Sequence, residues 1–292
     1  MADASGISQD TLAWTTQWYL REDTLRDANT LLVNRHHSEP LAALWGGGTL
    51  SSSDGQRFPQ RGKSLTARAL SRYFLDEGTT TYTHVADQHS TYGTKVIPST
   101  VREATYVLDE ILGNPTDLPI AEHAVDTHGQ TFAAFAAFDL LGLHLSPRIR
   151  DLASLQLYRL GPAHGLAAFP HAGPLLTRPI QTELITSQWD ELLRLAGSLK
   201  FGHATASLLI GKLQASERQN QLTRALLEYG RLVRTIFVLR YLADEALQRR
   251  VHQQLNKGES LHALRRRLFF AHEGHVRRRW RTRSVPSSAT AV

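Results

Sequence analysis

Residues 51–58 read SSSDGQRF, and whether this stretch is a strand or a turn decides the fold. Taken alone, Asp54-Gly55 is a turn dipeptide. Set within Ala42 to Phe58, an extended segment punctuated by Gly46 to Gly48, the same residues make a first strand that carries an aspartate. Two other acids stand in unusual contexts: Asp126 in EHAVDTHG (122–129) and Glu259 in LNKGESLHALRR (255–266). A strand-borne Asp, a second Asp ending a later strand and a Glu on a late helix form a trio able to grip two divalent cations. Such an ion pair cuts and joins phosphodiesters. The second acid lies 72 residues after the first and the third 133 after the second, so only a folded domain could unite them.

Each acid also has a local explanation. Asp126 precedes Thr-His-Gly and a helical run, where it would cap a helix or shape a turn. Glu259 follows Asn256 by three residues, the spacing at which a carboxylate reaches back to a helix N-cap.

The wording around the acids adds a resemblance. GGGTLSSSDGQRFP, GKSLTARALSRYF, TTYTHVADQHSTYGTKVI, EHAVDTHG, LSPRIRDL, SLKFGHATASLL and LNKGESLHALRR occur in this order. Together they resemble the catalytic region of the replicative DDE transposases of class II bacterial transposons, the Tn-three family, from about Gly6 to about Gly274. The resemblance implies that Asp54, Asp126 and Glu259 are the DDE triad and its metal ligands. It also makes Arg266 the basic residue seven positions after the Glu. Seven helical residues are almost two turns, about 10 Å, so Glu259 and Arg266 share a face. Read without the resemblance, Arg266 is one of three consecutive arginines on a solvated helix.

The activity implied is two-metal phosphoryl transfer: hydrolytic nicking at transposon ends to expose a 3′-hydroxyl, then strand transfer into target DNA. Two Mg²⁺ ions are expected because all proposed ligands are oxygen, with Mn²⁺ a substitute. DNA is the expected partner, with Arg57, Lys95, Arg148, Arg150, Lys257 and Arg265 assigned to DNA contacts and a homodimer expected of the full-length parent. The family also implies end-recognition domains ahead of Met1, and a match that lapses after about Gly274, where RRRWRTRSVPSSATAV suggests a truncation or a shifted frame. The alternative reading is an inactive remnant that binds DNA nonspecifically or interferes with transposase assembly. An unrelated helical interaction protein leaves the motif series unexplained.

Composition bounds these readings. The 292 residues are 41% hydrophobic, enough for a large core. Absence of cysteine excludes disulfides and thiolate zinc sites and accords with a reducing compartment, here a bacterial cytoplasm. The longest apolar stretch, Phe132 to Leu145, is interrupted by Asp139 and His144 and is too short to span a membrane. Asp3 argues against a secretory signal. From Arg265 to Arg283 eight arginines face one acid, Glu273, whereas the remainder of the chain is nearly neutral. That segment is either a salt-sensitive DNA phosphate patch or a solvated tail.

Other motifs fail. Gly62-Lys63-Ser64 ends like a phosphate-binding loop, but Arg57 stands where that loop needs glycine, so no nucleotide cofactor is expected. The 14 histidines include no H-E-x-x-H, and His123 with His128 is no standard zinc pair. Ser51 to Ser53 lack the G-x-S-x-G frame of a nucleophile.

The expected fold is α/β: an RNase H-like mixed sheet with a large all-α insertion between the second Asp and the Glu. Residues 1–38 form a helical lead-in with Leu12, Trp18, Tyr19, Leu25 and Leu32 at helical spacing, and 39–150 the core. Within the core, Thr79 to Val85 and Thr94 to Thr100 suggest a hairpin, and Thr100 with Glu103 a capping box before a helix that stops at Gly113. A strand at Ile120 to Val125 delivers Asp126, followed by a helix near 131–141 and extended chain at 143–149. Residues 151–250 are the insertion, with stripes through Leu184, Trp189, Leu192, Leu193, Ala196 and Leu199, then Leu222, Leu226, Val233, Ile236 and Phe237. Residues 251–275 are the helix of Glu259, and 276–292 a basic tail.

Overall fold

The computed structural model describes residues 5–59, 68–69, 77–98, 106–126, 130–151, 155–215 and 220–268. Two helices lead in, α1 (Gln9–Tyr19) and α2 (Glu22–Ser38), followed by a 3-10 turn at Pro40–Leu44. Strand β1 (Leu50–Pro59) then runs unbroken through Asp54-Gly55, so the turn reading of that dipeptide does not hold. The glycines ahead of it are structural: Gly46 has φ +155°, and a β carbon there would lie 2.3 Å from Asp87 Oδ2. Asp87 Oδ1 also accepts the Gly48 N–H at 2.9 Å, which fixes the approach to the strand.

The sheet is built on β1. On one side it pairs antiparallel with β3 (Glu77–Ala86), which pairs in turn with the two-residue β2 (Arg68–Ala69) and with β4 (Thr91–Pro98). On the other side it pairs parallel with β5 (Glu122–Val125), and β5 with β6 (His144–Pro147). Helix α3 (Val107–Leu112) precedes β5 and α4 (Phe132–Leu140) joins β5 to β6. Apart from the short β2, three strands, helix, strand, helix, strand is the order expected, with the first strand beside the one that ends at Asp126. This mixed α/β architecture is consistent with an RNase H-like DDE domain. The Thr100 to Glu103 capping box and His128 lie outside the described residues.

Alternation along β1 divides the molecule into two layers. Ser51 and Ser53 face a core that includes Tyr82, Val107, Val125, Phe135 and Phe138. Ser52, Asp54 and Gln56 face the last helix, over a second core containing Leu50, Ala124, Val251 and Leu255. The apolar run from Phe132 to Leu145 forms α4 and the start of β6, with α4 buried from Ala133 through Phe138 as a helix hydrophobic on all sides must be. Among the described residues no helix is long and apolar enough to cross a membrane.

Between β6 and the last helix the chain is mainly helical: α5 (Thr182–Ser187), α6 (Trp189–Lys200), α7 (Ala206–Ala215) and α8 (Gln221–Ala243). Of the expected stripes, Leu192, Ala196, Leu199 and Leu226 are buried, whereas Trp189, Leu193 and Ile236 are exposed. The region is not wholly helical. Strands β7 (Leu157–Arg159) and β8 (Leu176–Pro179) pair in parallel as a separate two-stranded sheet, because Tyr158 is anchored against α8 by its N–H on Thr235 Oγ1 at 3.1 Å. Asp109 of α3 ties the insertion to the core by accepting the Ala206 and Ser207 N–H groups at the start of α7. The last helix, α9 (Glu245–Leu268), begins six residues before the boundary placed at 251 and is continuous. Asn256 is therefore inside it, and Glu259 is not part of a capping box.

Candidate active site

Asp54 and Asp126 are carried by neighbouring parallel strands. Leu50 pairs with Glu122, Ser51 with His123 and Ser52 with Ala124. The ladder ends there, two residues short of Asp54, which continues in β1, and of Asp126, which follows the end of β5 at Val125. A slip of one residue in β1 would turn Asp54 to the opposite face.

The alignment is reinforced from the opposite layer. The buried imidazole of His123 bonds Ser51 Oγ through Nδ1 at 2.7 Å and Ser53 Oγ through Nε2 at 2.9 Å, stitching β5 to β1 over two positions. Tyr82 OH completes the bond to Ser53, and Tyr92 OH donates to Ser51 Oγ at 3.1 Å. Burial, with His84 nearby, holds the His123 pKa well below the usual range, so the ring is neutral. The serines thus brace the strand, as polar strand residues rather than nucleophiles.

Around the aspartates the partners differ. Asp54 has a half-open side chain, 44% exposed; Oδ1 accepts the Gly55 N–H at 2.8 Å and Oδ2 lies 3.1 Å from His262 Nδ1. Asp126, equally open at 44%, faces two cations: Arg148 Nη2 at 3.0 Å and Arg150 Nη2 at 3.5 Å from Oδ1. Both arginines follow β6, the next parallel strand.

Glu259 comes from α9, which lies across the Asp54 face. Gly258 sits where a β carbon would be 3.4 Å from Asp54 Cβ, so the helix passes directly over the aspartate. The helix is docked by polar side chains. Gln254 Nε2 donates to Ser52 Oγ at 3.1 Å and to Val85 O at 3.0 Å, and Gln56 Nε2 donates to His262 O at 3.4 Å. Glu259, next to Gly258, is exposed, as is Arg266 two turns on. Among the described residues, no group of three or more His, Cys, Asp or Glu is close enough to hold a metal ion. Asp54 thus lies under the helix that carries Glu259, and Asp126 stands just past the end of the neighbouring strand beside Arg148 and Arg150.

The basic residues assigned to DNA have these positions. Arg265 is buried and donates to Thr83 Oγ1 at 2.7 Å, with burial lowering its pKa. Lys257 donates to Asp87 O, and burial lowers its pKa against the raising effect of Asp87. Lys95 pairs with Glu110 at 3.3 Å, and Arg57 is exposed on β1. Arg148 and Arg150 are the Asp126 partners already described. Gln254, Gly258 and His262 were not anticipated; their spacing of four on a helix with few apolar residues is the signal that marks them as one face.

The mixed sheet with helices packed against it has the architecture of an RNase H-like DDE domain. The model of the family described as Tn3 transposase DDE domain matches residues 1–288, and the chain belongs to this family. The match passes Gly274, so the lapse expected there is corrected. The chain is 42% identical over 280 residues to the transposase for transposon Tn1546 of Enterococcus faecium, covering 96% of this chain and 28% of that protein. It is 42% identical to the transposase for transposon Tn501 of Pseudomonas aeruginosa, with the same coverage, and 37% identical to that for transposon gamma-delta of Escherichia coli (strain K12), covering 94% of this chain and 27% of that protein. The chain thus spans less than a third of the length of these curated relatives.

Proposed function

We propose that this chain is the catalytic portion of a DNA transposase that nicks transposon ends to expose a 3′-hydroxyl and joins it to target DNA in replicative transposition. The observation that carries the reading is the passage of the Glu259 helix directly over Asp54, with Asp126 just past the end of the adjacent strand β5. Family membership supports it.

Asp54 and Asp126 would hold divalent cations between β1 and β5, and Glu259 would complete the ligand set from α9. The all-oxygen donor set suits Mg²⁺, with Mn²⁺ as a substitute. Bound in pairs, such ions activate water and stabilise attacking and leaving oxygens. Arg266, on the exposed face two turns beyond Glu259, is suited to neutralising a DNA phosphate or holding Glu259 in place. Arg148 and Arg150 balance the charge of Asp126 and would exchange that carboxylate for phosphate when DNA approaches. DNA is the substrate and target partner, a homodimer the assembly of the longer parent, and the bacterial cytoplasm the site of action.

The test is nicking of supercoiled plasmid in Mg²⁺ or Mn²⁺. Asp54→Ala and Glu259→Ala should each retain less than about one-hundredth of parental nicking, since loss of outer-shell partners alone costs about 10–100-fold at metal sites. Equal nicking by these variants refutes the reading. The Arg148 and Arg150 contacts on Asp126 favour a second reading, a non-catalytic DNA-binding remnant. On that reading nicking is absent, and removal of the residues after Gly274 abolishes DNA binding.

A further inference from the structure

We propose that His262 is a positioning residue for Asp54, setting the rotamer in which that carboxylate meets a divalent cation. The inference rests on the reading of Asp54 as a metal ligand and adds to it a residue outside the triad, one that stands within LNKGESLHALRR without an assigned role.

His262 is buried, and it lies one turn beyond Gly258, the residue over which α9 crosses Asp54. Its backbone is tied to the same strand: Gln56, two residues along β1 from Asp54 and on the same face, donates to His262 O at 3.4 Å. The imidazole therefore reaches Asp54 from an origin fixed relative to β1, and Nδ1 stands 3.1 Å from Oδ2. An ionised carboxylate only accepts, which places the hydrogen on Nδ1. With the Gly55 N–H on Oδ1, each oxygen has one donor. A carboxylate offers about four lone-pair sites, so two remain for a cation in a geometry that the donors have already chosen. Without His262, Oδ2 is free to rotate into solvent from a half-open side chain. Hydrogen-bond partners of this kind typically support metal affinity by about 10–100-fold.

The experiment measures Mn²⁺ affinity of the whole chain, without DNA, from the electron paramagnetic resonance signal of the free ion. Circular dichroism monitors the fold. Parent, Asp54→Asn, His262→Leu and His262→Asn are compared; the Asn amide nitrogen stands near the place of Nδ1. Parent should bind, Asp54→Asn should lose the site, His262→Leu should bind about tenfold more weakly, and His262→Asn should recover to within about threefold of parent. A merely structural histidine would lower the melting temperature without this split between Leu and Asn. Absence of Mn²⁺ binding by parent, or full binding by Asp54→Asn, removes the metal reading and the inference together. If those two behave as expected but His262→Leu binds as tightly as parent or tighter, or His262→Asn is as weak as Leu, the inference alone is overturned. Should His262→Leu not fold, His262→Gln, whose amide nitrogen falls near Nε2, takes its place with the same expectation.

Discussion

Ser52 and Gln254 bond each other in both directions: Ser52 Oγ donates to the Gln254 carbonyl at 3.2 Å, and Gln254 Nε2 donates to Ser52 Oγ at 3.1 Å. Both residues are buried, and 202 residues separate them along the chain. This exchange seats the final helix on the first strand two residues from Asp54. Replacing Gln254 with Leu removes the bonds from Nε2 and leaves the Val85 carbonyl to find another donor. The expected loss is about 1–3 kcal/mol in urea denaturation, and plasmid nicking should fall with it. An unchanged midpoint would show that apolar contacts around Val251 and Leu255 hold the helix by themselves.

Acid should unfold this protein through its buried histidines. Burial, with the charge of Lys95, lowers His84 to about 3, and burial holds His123 well below 6.5. Both rings are therefore neutral when folded, while the unfolded chain binds their protons below about pH 6.5. Their contribution to stability is complete above that pH and is lost as pH falls toward about 3, with a limiting slope of about 1.4 kcal/mol per pH unit for each ring. Neither nitrogen of His84 has a hydrogen-bond partner among the described residues. His84→Phe should therefore leave stability at pH 7.5 equal or higher and make the acid slope shallower by one proton. Urea midpoints across pH 4 to 7.5 measure it, and an unaltered slope would exclude His84 as a source.

Gly230 of α8 lies directly against the first residue of α4. A β carbon there would lie 1.9 Å from the Phe132 carbonyl oxygen, a backbone atom that cannot turn aside. Gly230→Ala must push α8 away from α4, and the expected cost is at least about 1–3 kcal/mol despite alanine's better helix propensity. Denaturant titration decides; a stabilised variant would mean that the two helices slide apart freely.

Much of the core was legible because its signals are local. Alternation and turn residues around 79–98, and the short run before Asp126, mark strands whatever their surroundings. Asp54-Gly55 was ambiguous because a turn dipeptide in mid-strand is decided by nine cross-strand pairs to β3, which no local pattern encodes. The capping reading of Glu259 failed for the opposite reason: Asn256 has the right spacing but lies within a continuous 24-residue helix. Strands β7 and β8 were hidden because Leu157–Arg159 has three residues and is held by α8 rather than by its own pattern. The adjacency of the strands that carry Asp54 and lead to Asp126 needs the sheet pairing, and the docking roles of Gln254 and His262 need the helix laid on the sheet. Those relations belong to tertiary structure and have no counterpart in composition or periodicity.

The polar seam beneath α9 gives the third acid its own foundation. Gln254 and Arg265 bolt the glutamate's helix straight onto β1 and β3, so Glu259 keeps its station through contacts that the long excursion between β6 and α8 does not supply.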